Sequence, residues 1–144
     1  MKARDAVRRA PVTVDPDTTI VDVAAIMNRE SVGAVVVAEG GMPIGIVTDR
    51  DLVNRVIATK RDLDSPVIDV MSINLITLDA DADLRESIAL FSSHPIRRLP
   101  ILENGRMVGM VSLDDLVIDY VFDLASLVRP VVGEVIFGHR ENTT

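Results

Sequence analysis

The sequence predicts an α+β fold built from two β-α-β-β-α repeats related by a pseudo-two-fold axis. Two observations carry that prediction. The first is an ungapped internal match at an offset of 64 residues. It gives 12 identities in the 49 aligned positions from Asp5 to Val53, where unrelated sequences would give roughly three; one long period of this kind marks a repeated structural unit. Asp5 falls on Asp69, Thr13 on Thr77, Glu39 on Glu103, Gly41 on Gly105 and Gly45 on Gly109. The run Asp51, Leu52, Val53 falls on Asp115, Leu116, Val117. The second observation is that both copies carry the same order of extended and helical signals. Two copies of one unit packed about an axis create two related clefts, and the function is expected there.

In the first copy, Val12-Thr13-Val14 is a short extended segment closed by Asp15-Pro16-Asp17. Thr19 with Asp22 reads as a capping box opening a helix with Ile20, Val23, Ala24 and Met27 on one face. Gly33 is expected to break that helix, and Ala34 to Ala38 reads as a buried strand. Glu39-Gly40-Gly41 is a hairpin turn leading to a strand from Pro43 to Val47. Thr48 with Asp51 is a further capping box, opening a helix through Leu52, Val53 and Val56.

The second copy repeats each step. Ile76-Thr77-Leu78 is extended, and Asp83 with Glu86 caps a helix carrying Leu84, Ile88 and Phe91. A strand Leu99 to Leu102, a turn Glu103-Asn104-Gly105 and a strand Met107 to Val111 follow. Ser112 with Asp115 opens the last helix, which is expected to stop before Pro130. The boundaries are therefore 1–58 for the first repeat, 59–70 for a linker, 71–128 for the second repeat and 129–144 for a C-terminal tail. The polar start of the linker and Pro66 suit a surface loop. Residues 131–144 have no counterpart in the repeat and fit either a packed strand or a frayed tail.

A chain of 144 residues with 48% apolar residues and mean hydropathy +0.30 suits a packed globular domain rather than disorder. No run approaches the roughly 18 apolar residues of a membrane span. Met-Lys-Ala-Arg-Asp lacks a signal peptide's apolar core, and there is no cysteine, so a cytoplasmic location is expected. A net charge of -7 argues against a generic nucleic-acid binder, which needs a basic surface. An anionic small ligand must then be held by a few local positive groups. Catalytic readings are poor: His94 and His139 are the only histidines, with no metal-pair spacing, and His94 before Pro95 suits a helix end. Asp79, Asp81 and Asp83 read as turn and cap residues, and Arg8-Arg9 as solvated. No cofactor is expected.

The second hairpin strand ends in Gly45-Ile-Val-Thr48-Asp-Arg-Asp51 in one copy and Gly109-Met-Val-Ser112-Leu-Asp-Asp115 in the other. With the Gly turn before and Leu-Val after, this pattern resembles a cystathionine-β-synthase (CBS) domain. The whole chain is similar to a stand-alone tandem CBS pair, or Bateman module, over roughly Asp5 to Val121. A helix start offers free N–H groups and partial positive charge to a phosphate. A hydroxyl at its first position can donate to a phosphate oxygen, and a carboxylate one turn on can accept from both ribose hydroxyls. The resemblance implies ribose binding by Asp51 and Asp115 and ligand contact near the phosphate by Thr48 and Ser112. It places Thr13 and Thr77 beside an adenine ring, with Ala34, Pro100 and Met110 completing the nucleotide-binding candidates. The same Thr-x-x-Asp and Ser-x-x-Asp boxes would also be selected for helix stability alone, at about 1 kcal/mol each.

The copies diverge before the first hairpin strand. The second has Pro95-Ile-Arg97-Arg98-Leu-Pro100, similar to the family's basic segment that grips phosphate; the first has the uncharged Ser31-Val-Gly33-Ala34. A solvated pair facing nearby Asp residues is the plainer account of Arg97 and Arg98. The two clefts are expected to be unequal, although facing copies can share an arginine across the axis, and Asp115 is expected to matter more than Asp51. The resemblance implies a non-enzymatic regulatory module binding AMP, ADP or ATP, with homodimers and an unidentified regulated protein as partners. The alternative is a module of this fold that binds an S-adenosyl compound, or no small ligand, and acts through protein interaction.

Overall fold

The run Ala34-Val35-Val36-Val37-Ala38 has no polar face, so only a strand covered on both sides accommodates it. In the structure, a computed structural model that describes residues 1–138, with side chains through residue 127, this run is buried at the centre of a three-stranded sheet. Strand β1 (Thr13–Val14) runs parallel to β2 (Ala34–Glu39), with Thr13 opposite Val36. Strand β3 (Met42–Thr48) runs antiparallel on the other side, with Ala34 opposite Thr48 and a register shift between Val37 and Ala38. The second sheet has the same order: β4 (Leu78–Asp79), β5 (Arg98–Glu103) and β6 (Arg106–Ser112). Leu78 sits opposite Ile101, one repeat on from Val14 opposite Val37. Both hairpins turn on two residues of positive φ, Gly40-Gly41 and Asn104-Gly105, which matches the twist of the flanking strands.

The helices depart from expectation in their caps. Helix α1 (Ile20–Glu30) starts at Thr19, whose Oγ1 accepts from the Asp22 N–H at 3.3 Å; the return bond of the box is not formed. It buries Ile20, Val23 and Met27 but leaves Ala24 exposed. It ends on Ser31 in the left-handed region (φ 54°), so Ser31 and not Gly33 closes it. Helix α2 (Asp49–Leu52) continues through a π turn, Val53–Ile57. Helix α3 (Arg85–Ser93) lacks the expected box: the Asp83 carboxylate accepts from the Arg85 N–H at 2.9 Å instead. The hydrogen bond from the Arg85 guanidinium helps hold that carboxyl down to about 2. His94 caps α3, its N–H donating to Leu90 O at 3.1 Å.

The chain divides into two units, Met1–Val111 and the segment from Ser112 onward. Helix α4 (Leu113–Gly138) belongs to the second and runs through Pro130, contrary to the predicted stop. Proline's fixed φ is close to helical, so within a helix it removes one hydrogen bond and crowds one carbonyl without forbidding the turn. A packed strand over 131–138 is therefore excluded, and the rest of the predicted tail, with His139, lies outside the described residues.

Within Met1–Val111 the repeats exchange the segments that precede their first strands. The turn Val67–Asp69 docks on the first repeat: Val67 N–H donates to Thr18 O at 2.8 Å, Ile68 N–H to Pro16 O at 3.2 Å, and Ile20 N–H to Ser65 O at 3.0 Å. The turn Ala3–Ala6 docks on the second repeat in the same way. Ala3 N–H donates to Ala82 O at 2.9 Å, Arg4 N–H to Ala80 O at 3.0 Å, and Leu84 N–H to Met1 O at 2.9 Å. Each bond is the repeat image of its partner, which establishes the pseudo-two-fold relation. The linker is thus not a surface loop throughout: Val67 and Val70 are buried in the first repeat's core with Ile20, Val23 and Val37. They are spaced three apart on a single turn, so both can face that core. Arg4 ties the other docked turn down, bonding Asp81 at 2.7 Å and Glu103 at 3.0 Å. The Arg4 bond to Asp81, and with it Lys2, holds the Asp81 carboxyl below its ordinary range.

Gly45 and Gly109 permit the exchange. A Cβ on Gly45 would overlap Met71 and come 3.0 Å from Ser72 O; a Cβ on Gly109 would overlap the methyls of Val7. Met71 and Val7 are themselves repeat images. Gly109→Ala should destabilise the protein by about 1–3 kcal/mol through overpacking, because Val7 is β-branched and stiff. Val7→Ala should recover much of that loss. Urea denaturation of the two single mutants and the double mutant measures the coupling, and strictly additive effects would show that the contact is not what the glycine serves.

Candidate functional site

The β3–α2 junction is built from short-range chemistry. Thr48 leaves β3 extended and caps α2: its Oγ1 accepts from the Asp51 N–H at 3.1 Å, and Asp51 Oδ2 accepts from the Thr48 N–H at 2.9 Å. The reciprocal box therefore forms here in full. The other oxygen of Asp51 lies 4.0 Å from Arg55 Nε, and Arg55 is itself held by a 2.9 Å bond to Val70 O. Asp51 is half-buried with its carboxylate fixed at the edge of the junction. Ala34, opposite Thr48, is buried and forms the floor of the same end of the sheet.

The positive group at this junction comes from the other repeat. Arg98 starts β5, yet its guanidinium reaches Gly33: a Cβ there would lie 3.0 Å from Arg98 Nη2 and 3.1 Å from Asp49 Oδ2. Asp49 is anchored by its N–H donating to Gly33 O at 2.9 Å and by Oδ1 accepting from the Arg50 N–H at 2.8 Å. Arg98 is half-buried, and among the described residues its guanidinium has no ion pair or hydrogen bond. A partly desolvated, unsatisfied guanidinium is costly unless something anionic completes it. The Asp49 carboxylate faces the same spot as the Arg98 guanidinium, as the plainer account of a basic pair near aspartates also expects.

The remaining candidates are dispersed. Thr13 is exposed on β1 opposite Val36, and no bond joins it to Thr48 or Asp51. Thr77 is half-buried just before β4, Pro100 is fully buried within β5, and Met110 is half-buried in β6. Arg97 is exposed. In the second unit, Ser112 Oγ accepts from the Asp115 N–H at 3.1 Å. No return bond from the Ser112 N–H to Asp115 occurs among the described residues, and Asp115 is exposed where Asp51 is half-buried. The structure thus groups Ala34, Thr48, Asp51 and Arg98, and adds Gly33 and Asp49, which sequence reasoning did not select as site residues. The available signal was the swap of Gly33-Ala34 for Arg97-Arg98 at one offset, since the smallest residues mark where the longest arrive. Among the described residues no three His, Asp or Glu side chains are grouped to hold a metal ion. No described helix is long and apolar enough to cross a membrane.

Comparison with known proteins extends this description. The sequence pattern of the CBS domain matches residues 3–58 and 67–120. The CBS domain-containing protein YhcV of Bacillus subtilis is 38% identical over 116 residues, covering 81% of this chain and 83% of YhcV. The crystal structure of ATU1752 from Agrobacterium tumefaciens, a CBS-domain containing protein, matches with a TM-score of 0.74 at 30% identity, over 83% of this chain and 99% of that one. CBS domain protein PAE2072 from Pyrobaculum aerophilum, determined in complex with AMP, matches with a TM-score of 0.78 at 26% identity, over 88% and 99%. With two tandem matches of the family pattern and a CBS domain-containing relative 38% identical over 81% of this chain, the chain belongs to the CBS domain family.

Proposed function

We propose that this chain is a non-enzymatic regulatory module that binds an adenine nucleotide (AMP, ADP or ATP) in the cleft between its CBS repeats. The observation that carries the reading is Arg98, a half-buried guanidinium with no ion pair or hydrogen bond among the described residues, which one repeat brings to Gly33 and Asp49 beside the Thr48–Asp51 junction of the other. A phosphate satisfies it, Thr48 offers a hydroxyl beside it, and Asp51 presents a fixed carboxylate for ribose hydroxyls. The AMP complex of PAE2072, at 26% identity, supports the ligand class. Binding changes regulation by population shift: a ligand that grips both repeats favours the arrangement in which Arg98 and Asp51 face one molecule, by no more than its differential affinity.

We rank Asp51 above Asp115, the opposite of the expectation from sequence, because Asp51 is half-buried in a complete capping box beside the spot that Arg98 reaches. Arg98→Ala should weaken AMP binding by about 1.5–3 kcal/mol, the range for hydrogen bonds to charged groups, and leave adenosine binding unchanged. Asp51→Ala should weaken both ligands, with some loss of melting temperature from the broken cap. Calorimetric titration distinguishes these effects. An equal loss for AMP and adenosine in Arg98→Ala, at unchanged melting temperature, would sink the phosphate assignment.

We also propose that the module forms a homodimer in which helix α4 pairs with its copy. Val117, Ile118, Val121, Phe122, Leu124 and Leu127 are each at least half exposed. Val117, Val121, Leu124, Val128, Val131 and Val135 recur at alternating steps of four and three, with valine and leucine where a self-pairing helix needs them. Asp119 and Asp123 carry the opposite face, which disfavours an anionic lipid surface as the occupant. Sedimentation should show a dimer for the parent and a monomer for the Val121→Asp, Leu124→Asp double variant; a monomeric parent would rule the pairing out.

A further inference from the structure

We propose that Asp49 sets how much negative charge the first cleft admits, favouring a ligand with one phosphate over a polyphosphate. The inference rests on the nucleotide reading and names the selectivity of that site. Asp49 Oδ2 and Arg98 Nη2 face the same empty spot beside Gly33, each about 3 Å from where a Cβ would be. An anion that reaches Arg98 therefore also becomes a neighbour of the Asp49 carboxylate. That carboxylate is held by the Arg50 N–H, which donates to its Oδ1 at 2.8 Å, and the Asp49 main chain is fixed by its N–H donating to Gly33 O.

The local charges make the consequence one of degree. Asp51 lies 4.0 Å from Arg55, while Arg98 and Asp49 bring opposite charges to the spot beside Gly33. A single phosphate gains more from contact with Arg98 than it loses to a solvent-facing Asp49. Each further phosphate adds repulsion from Asp49 without a new contact to Arg98, and the exposure of Asp49 softens this without removing it. Gly33 adds no side chain at that spot, so the groups that meet there are the Arg98 guanidinium and the Asp49 carboxylate. The second repeat has Leu113 at the position equivalent to Asp49, so the restriction belongs to one copy.

The test is titration of the full chain with adenosine, AMP and ATP, without magnesium and at fixed low salt. Asp49→Asn keeps the acceptor for the Arg50 N–H, and Asp49→Leu installs the second repeat's residue; melting temperature reports folding of each. Both variants should bind ATP about tenfold more tightly, gain less for AMP and not change for adenosine. Added salt should narrow the ATP gain. An unchanged ratio of ATP to AMP affinity in a folded variant overturns the role of Asp49 while leaving the nucleotide site standing. A parent protein that binds none of the three ligands overturns the nucleotide reading, and this inference with it.

Discussion

The close approach of each repeat to the segment that precedes the other's first strand is the contact on which the rest of Met1–Val111 depends. It is allowed by the missing side chains of Gly45 and Gly109 and filled by Met71 and Val7. Because Val67 and Val70 complete the first repeat's core, and Met1 to Arg4 give main-chain bonds to the second, neither repeat closes its own structure. A chain of this size buries too little apolar surface to halve comfortably, so exchange joins two insufficient halves into one sufficient core.

The same exchange positions the chemistry. A guanidinium rooted in β5 ends beside Gly33 in a unit whose two repeats are joined by those docked turns. The duplicated frame needs only two local differences to become asymmetric: small residues at Gly33-Ala34 and basic ones at Arg97-Arg98. Thr48 and Asp51 then have two uses at once, capping α2 and presenting a hydroxyl and a carboxylate to the cleft. Occupying a cap with a ligand has a stability cost of about 1 kcal/mol, small against the charge-assisted bonds on offer.

What was legible in the sequence was what local pattern determines. Both hairpins are found where predicted, because Gly40-Gly41 and Asn104-Gly105 can take the paired left-handed conformation the turn demands. The strand core Ala34–Ala38 and the motif ends at Thr48 and Ser112 were likewise readable, and the period of 64 carries them into the second copy. The exchange was not readable, since its bonds join residues such as Ala3 and Ala82 with no pairing signal between them. The polar start of the linker hid two core valines. The proline rule cut α4 short at Pro130, and an αL serine ended α1 where glycine was expected. Arg98 was recognised as basic and out of place, but its destination across the axis depends on packing that no local pattern encodes.

The central claim is that one repeat supplies the cation for the other's junction. A crystal structure of the protein with AMP tests it most directly. The account predicts a phosphate oxygen about 2.7–2.9 Å from the Arg98 guanidinium beside Gly33, with the ribose hydroxyls on Asp51. AMP bound with its phosphate away from Arg98, or with Arg98 turned toward its own repeat, would contradict it.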